Sequence, residues 1–396
     1  MTNTPIYCDY NAGAPIRAEA AVAMSRALAL GGNASSVHAI GRRMRAMIED
    51  AREKIAVALE ASAENVVFTS GATEALHLAL DAFTSHANQL RLRAPISKHD
   101  LDALDPLPPA TLIIAECEHD ALFEEGWQRF MLRAPLLLNG LIDLVVLEPI
   151  IRAAEKPALV AVQLANNETG VIQPIAKIAA LCREHGALLL VDAAQAFGRI
   201  PVSIADLDAS YLVVSSHKLG GPPGAGALVL APGAPFVSTR FGGGQERGRR
   251  PGTENGAALV GFAVAVEWAL EDMAGEAQRL AELRDRFEAG LPRDAVVFGD
   301  GAPRLPNTSN FALPSLSAET AVIAMDLEGV AISSGAACSS GKVRSSRVLA
   351  AMGVAPDLAK AALRVSFGHE SKASDVDEVL GALGKIAARR AQGAAA

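Results

Sequence analysis

The sequence predicts an α/β protein built on a mostly parallel sheet, followed by a smaller mixed domain. Three features predict it. Short runs that are apolar throughout recur between residues 66 and 230. Helix-period segments alternate with them. A Gly/Arg-rich loop, Phe241–Gly256, ends the pattern, and a long helical stretch and a second mixed segment from Val296 onward come after it. Runs of this kind suit strands buried on both faces, and their alternation with helices is the mark of parallel α/β layers.

Taken in order, Val66–Thr69 is the first strand of the pattern and leads into a helix over Ala72–Phe83. Thr111–Ala115 is the next strand, with a helical segment expected near Leu122–Met131. Leu159–Leu164, Leu188–Val191, Tyr211–Val214 and Ala227–Leu230 continue the sheet. Beyond the Gly/Arg loop, one helical stretch is expected from about Ala257 to Gly290. Residues 96–109 read as a surface insertion, and the Ala-rich end as a frayed tail.

A chain of 396 residues is too long for one small core and fits two domains, or one large domain with an appended lobe. Half of it is apolar and a fifth charged, as in ordinary globular proteins, while aromatics at 4% leave the core to Ala, Val, Leu and Ile. A net charge of −8 argues against non-specific binding to nucleic acid or to an anionic membrane. Cys8, Cys117, Cys182 and Cys338 are widely spaced, with no C-x-x-C pair and no zinc spacing. They read as thiols of a cytoplasmic protein rather than a disulfide framework or a metal site. The N-terminal segment lacks a basic stretch followed by an apolar one, so no signal peptide is expected, and the apolar runs are too short to cross a bilayer.

Three strand ends carry candidate chemistry. Ser70-Gly-Ala-Thr-Glu74 lies where a strand turns into a helix, so the free N–H groups of Ala72 and Thr73 and the helix dipole favour an anion there. Asp192 ends another strand, where a carboxylate faces the crevice of an open sheet. Ser215-Ser-His217-Lys218 follows a third strand and opens a Gly/Pro loop, in which a partly desolvated amine is available for imine chemistry. Each feature alone is better read as a helix cap or a surface charge. Together, an anion cradle, an acid, and a lysine 26 positions after it are what pyridoxal phosphate (PLP) requires.

The motifs SGATEA, EHDAL, NNETGV, VDAAQ, SSHKLGGPPG, GGGQERGRRPGT and SSGAACSSG, in that order from about Tyr7 to Gly368, resemble those of the cysteine desulfurase family. That family belongs to the class V aminotransferase branch of fold-type I PLP-dependent enzymes. The resemblance implies a seven-stranded, mostly parallel sheet in a large domain, residues 16–262, and a smaller α+β domain of residues 1–15 and 263–396 that carries Cys338. It implies that Lys218 holds the cofactor as a Schiff base, that Asp192 faces the pyridine nitrogen, and that His119 stacks on the ring and moves protons. Asn167 and Gln195 resemble the partners of the phenolic oxygen. Ala72, Thr73, Ser215 and His217 resemble phosphate ligands, and Thr253 the residue that reaches the phosphate across a homodimer interface. Arg364, with Asn167, resembles the grip on the substrate α-carboxylate, which suits a planar guanidinium fork.

Cys338 separates branches of this superfamily. It sits among small residues in Ser333–Gly341, in a segment with little to bury a thiol. The resemblance implies that it accepts the sulfur of L-cysteine as a persulfide, with His119 the candidate for its activation, and that L-alanine is released. It also implies a sulfur-acceptor protein as partner, for iron–sulfur cluster or thio-cofactor synthesis. No resident metal is implied, although a persulfide on Cys338 could transiently ligate a cluster. A selenocysteine lyase shares nearly all these residues. A plain class V aminotransferase would not need the SSGAACSSG segment. A nucleotide-binding protein without activity would leave Lys218 unexplained and lacks a phosphate-loop motif. Two departures stand out: Asp9-Tyr-Asn-Ala-Gly-Ala-Pro15 and Gly32-Asn-Ala-Ser-Ser36 differ from the family's usual patterns in segments expected near the substrate.

Overall fold

The computed structural model describes residues 5–93, 110–123, 131–314, 316–335 and 346–394. Cys338 and the insertion at 96–109 lie outside the described residues. The chain opens with β1 (Ile6–Tyr7), α1 (Ala18–Leu30) and α2 (Ala39–Ala58), then β2 (Val66–Thr69), α3 (Ala72–Arg93), β3 (Thr111–Ala115) and β4 (Met131–Ala134). Next come α4 (Leu144–Ala153), β5 (Ala158–Gln163), α5 (Ile175–Glu184), β6 (Leu188–Asp192), β7 (Tyr211–Ser215) and β8 (Gly226–Leu230). The remainder holds α6 (Gly256–Glu271), α7 (Met273–Ala289), β9 (Val296–Val297), β10 (Thr308–Ala312), α8 (Ala318–Leu327), β11 (Val330–Ala331) and β12 (Ser333–Ser334). It ends with α9 (Arg347–Ala351), α10 (Pro356–Lys360), β13 (Ala362–Ser366) and α11 (Ala373–Ala394).

Seven strands form the large sheet in the order β2-β8-β7-β6-β5-β3-β4. β8 is antiparallel to both its neighbours, and the other pairings are parallel. Successive strand side chains point to opposite faces, so a sheet covered on both sides needs apolar residues at every position. The two cores divide that way: Ile113, Val160, Val191 and Val214 pack on one face, and Leu112, Leu159, Leu190 and Val213 on the other.

A third core lies in the C-terminal part, where Phe287, Phe311, Leu363, Val365 and Phe367 gather with Cys8 from the chain's start. β10 and β13 pair antiparallel there, flanked by β9 and β12, while β1 pairs in parallel with β11. Residues 6–8 thus pack with the C-terminal segment, and we propose on that basis the division into 16–262 and 1–15 with 263–396. α6 straddles it, since Phe262, Val266 and Ala269 still join the large core.

One expectation needs correction, and another falls mostly outside the described residues. Where a helix was expected near Leu122–Met131, Asp120–Leu122 is a single 3₁₀ turn and Met131 opens an edge strand, while residues 124–130 lie outside the described residues. β4 reads poorly as a strand because two of its four residues face solvent. The stretch from 257 to 290 is two helices, broken at Asp272 (φ −136°), whose carboxylate accepts from Gly275 N and starts α7.

Candidate active site

The carboxyl ends of β3, β5, β6 and β7 open onto one cavity of about 450 Å³. Ala72, Thr73, His119, Asn167, Asp192, Gln195, Ser215, His217, Lys218 and Arg364 all line it, together with Asn11 and Ala12. In an open sheet, side chains just past parallel strand ends converge above the sheet edge, which explains how residues so distant in sequence meet. Thr253 does not reach this cavity. It lines an adjoining hollow that shares Ser70 and Gly224 with it.

The cradle forms at the N-terminus of α3. The first-turn N–H groups of a helix have no partner within the helix, so those of Ala72 and Thr73 are available to an anion. The turn before them lies against β8 so closely that a Cβ at Gly226 would come 2.7 Å from Gly71 Cα. Glu74 would oppose an anion here, but it is occupied. It accepts from Ser70 N at 2.6 Å and from Arg250 Nε at 3.1 Å, and it also pairs with Arg240. Burial alone would raise its pKa, yet the bonds from Arg250 and Ser70 outweigh that and hold it down to about 2. The arginine-rich loop is therefore fastened to the cradle rather than solvated. Glu246 anchors it from below, accepting from Arg52 at 2.7 Å and from Phe68 N at 2.8 Å.

Asp192 ends β6, buried, and its Oδ1 accepts from Ala194 N at 2.9 Å. Burial raises its pKa, while the Ala194 bond and the nearby His119 and Lys218 oppose the rise. Behind it, Glu118 is buried, takes Gln163 N at 2.6 Å on Oε1, and leaves Oε2 without a partner. Burial and then the charge of Asp192 push Glu118 well above the usual carboxylate range. Of these two neighbouring acids only Asp192 lines the cavity.

His119 caps the 3₁₀ turn, its Nδ1 accepting from Ala121 N at 3.1 Å, so a neutral ring carries its proton on Nε2. The segment is held from outside: Arg347 donates to Glu116 O at 2.7 Å and to Glu118 O, and its guanidinium lies 3.5 Å from the Phe123 ring centroid. Lys218 follows β7 on a 3₁₀ turn, and its Nζ donates to the carbonyls of Asn11 (2.6 Å) and Ala12 (2.9 Å). Ser215 Oγ and His217 Nδ1 are 3.0 Å apart. Burial, then Lys218 and Arg199, push His217 down to about 4, so it is a neutral ring at physiological pH.

Arg364 is buried on β13. Nη1 donates to Asn167 O at 2.9 Å, Nη2 to Asp9 Oδ1 at 2.5 Å, and Nε is buried without a partner. Arg364 lines the cavity, and a buried guanidinium N–H without an acceptor suits an anionic partner such as a carboxylate. The donor set also suits a phosphorylated pyridine: an N-terminal cradle with hydroxyls beside it, a buried acid, and a lysine amine in the same cavity.

Sequence reasoning did not find Asn11, whose carbonyl holds both Lys218 and Gln195 and whose amide donates to Asn167 O at 3.1 Å. Nor did it find Asp9 or Glu118 in these roles. The divergence at Asp9–Pro15 was the signal that the segment approaches the site. Cys338 cannot be set against this geometry, being outside the described residues. The other three cysteines are buried.

The class-V aminotransferase profile matches residues 6–96 and 105–379, and the break falls within the region read as an insertion. The chain is 35% identical over 392 residues to the cysteine desulfurase IscS of Dictyoglomus turgidum, covering 96% of this chain and 94% of that protein. It is also 35% identical over 402 residues to an IscS-like cysteine desulfurase of Mycobacterium tuberculosis, with 98% of both covered. Among solved structures, the NifS-like protein from Rickettsia africae superposes with a TM-score of 0.85 at 28% identity, covering 96% of this chain and 99% of that one. A structure described as SspA in complex with cysteine aligns with a TM-score of 0.75 at 27% identity over 91% and 98% of the two chains. With the profile running through nearly all of the chain and curated relatives matched end to end, this protein belongs to the class-V aminotransferase family, among its cysteine desulfurases.

Proposed function

We propose that this chain is a PLP-dependent desulfurase that takes sulfur from L-cysteine onto Cys338 and releases L-alanine. The observation that carries the reading is the convergence, in one cavity, of Lys218, Asp192, His119, the α3 cradle and a guanidinium with a buried unpaired N–H. Bound PLP would supply an electron sink that acidifies the substrate Cα–H and weakens the Cβ–S bond.

The chain's own residues do the rest. Ala72, Thr73, Ser215 and His217 hold the phosphate, and Thr253 reaches that of a second copy in a homodimer. Asp192 keeps a positive pyridine nitrogen paired, which also relieves its own burial. Gln195 and Asn167 face the phenolic oxygen. Arg364, with Asn167, fixes the substrate carboxylate, so that Lys218 Nζ is placed to move the Cα proton. His119 covers the ring and takes the proton from the attacking thiol. The Cys338 sulfur attacks the substrate sulfur: an S–S bond forms, the Cβ–S bond breaks with its electron pair left on carbon, and protonation of that carbon completes the methyl of alanine.

The other cysteines support this choice by exclusion. Burial pushes Cys8 and Cys182 up to about 12 and Cys117 higher still, so none is a thiolate near neutrality. The persulfide is then collected by an acceptor-protein thiol in the cytoplasm, for iron–sulfur or thio-cofactor synthesis. The test is an alanine and sulfide assay with L-cysteine, with and without acceptor protein. Cys338→Ala should retain the yellow cofactor colour and lose persulfide transfer. Full-rate transfer by that variant would overturn the assignment.

A further inference from the structure

Arg199 lies behind the cavity, buried, on the turn between β6 and β7. Nη1 donates to Gln195 O at 2.9 Å and to Gln195 Oε1 at 2.5 Å, and Nη2 to Tyr10 O at 3.2 Å and Lys218 O at 3.1 Å. All four acceptors are uncharged. Among the described residues no carboxylate is within ion-pair distance of it. Burial, with Arg364 adding to it, lowers its pKa to about 9.

A buried cation without a counter-ion is costly. Folding alone therefore gives a weak reason for an arginine here. Its bonds give a stronger one. A guanidinium can only donate and a backbone carbonyl can only accept. Arg199 therefore requires an oxygen at one end of the Gln195 amide, and Asn11 O, 2.9 Å from Nε2, requires the nitrogen at the other. The two contacts favour the same orientation, with Oε1 toward Arg199 and Nε2 toward Asn11. Nε2 has two hydrogens, of which Asn11 O takes one, and Gln195 lines the cavity.

We propose that Arg199 is a positioning residue that locks the Gln195 amide with an N–H toward the cavity, so that the site accepts an anionic oxygen there and not a hydroxyl donor. Without Arg199 the amide loses the anchor on Oε1 and is held by Asn11 O alone, so it can swing its remaining N–H away from the cavity. The proposal rests on the PLP reading, in which that oxygen is the ring's phenolate. The same guanidinium fastens the backbone of Lys218 to that of Tyr10, so the amine and the amide share one brace.

The experiment is a pH titration of the visible absorption of PLP-loaded protein. A donor on the phenolic oxygen stabilises its negative charge, so losing the donor makes the cofactor linkage hold its proton to higher pH. Arg199→Met should raise the titration midpoint by about one pH unit, a tenfold change in proton affinity. Gln195→Ala should raise it similarly, and the double variant by no more than either alone, because both act through one amide. Asp192, His119, His217 and Arg364 also face this corner, and their contribution is common to all variants. Arg199→Lys keeps the charge but not the fork and should give a smaller rise. Arg199→Met also removes donors from Tyr10 O and Lys218 O and should lower the melting temperature, so the readout that a purely structural role would not move is the titration midpoint of protein that remains folded. A wild-type midpoint in a folded Arg199 variant overturns the proposal, as do fully additive shifts. Wild-type protein that shows no visible band with added PLP overturns the cofactor reading instead.

Discussion

Arg364 Nη2 and Asp9 Oδ1 are 2.5 Å apart, and Asp9 Oδ2 accepts from Ser333 Oγ at 2.8 Å, so a residue from the chain's start braces the cavity's guanidinium against β12. Ser333 stands opposite Arg364 in the β12–β13 register. The brace holds two nitrogens of the guanidinium and leaves Nε without a partner. Arg364→Lys keeps the charge and loses the fork. It should raise KM for L-cysteine by roughly 10- to 100-fold, the worth of one or two charge-assisted hydrogen bonds. PLP affinity should stay within a factor of three or so, because in the proposed site the fork holds substrate and not cofactor. Steady-state kinetics with a cofactor titration check both, and an unchanged KM refutes the role.

Asp192 is the second test. Asn is nearly isosteric, and burial already disfavours the charged form, so Asp192→Asn should fold with a thermal midpoint close to wild type. In the proposed site it removes the negative partner of the pyridine nitrogen. We expect kcat to fall roughly 100-fold, about 2.7 kcal/mol of barrier. Alanine production within tenfold of wild type would mean that the acid serves the fold and not the electron sink.

Much of the fold and site was readable from sequence, for a physical reason. Strands covered on both faces are apolar at every position, so β2, β3, β5, β6, β7 and β8 announce themselves, and parallel topology then gathers the residues just past their ends along one edge. β4 escaped because an edge strand with Leu132 and Arg133 in solvent has no such pattern. The break between α6 and α7 escaped because Asp272 resembles any helical surface acid until its cap is seen. The hold of Asn11 on Lys218 and Gln195 was not readable, since it runs through a backbone carbonyl, which any residue type supplies; only the divergent Asp9–Pro15 pattern pointed to its segment. Arg199 and Glu118 are charged residues that pattern reading assigns to the surface. Only the fold shows that they are inside.

Glu168 gives a pH signature. It is buried beside Asn167, and its Oε2 accepts from Ser346 Oγ at 2.5 Å. Burial raises its pKa to about 7, against the bond from Ser346 and the charge of Arg364. A carboxyl raised in the folded state favours folding while it is protonated. Its contribution is full below the unfolded value of about 4.5 and is lost as pH climbs through 7. The difference is worth about 3 kcal/mol at most. Glu168→Gln, permanently neutral, should flatten the fall in stability between about pH 5 and 7.5. Urea denaturation across that range measures it, and parallel curves for the two proteins would refute the assignment.

The buried thiols supply the last prediction. Cys8, Cys117 and Cys182 are at most 2% exposed, and burial raises the pKa of each. Alkylation needs a thiolate and an approach path, and these three lack both. Iodoacetamide at about pH 7.5 should therefore leave all three unmodified in native protein for as long as the fold holds, and modify them quickly in urea. Peptide mass spectrometry reads the sites directly. If Cys338 is the sulfur carrier, its labelling alone should track loss of transfer, and a variant with Cys8, Cys117 and Cys182 all changed to Ala should still move sulfur. Loss of transfer in a folded triple variant would return the role to one of the interior thiols, and the exclusion that singles out Cys338 would fail.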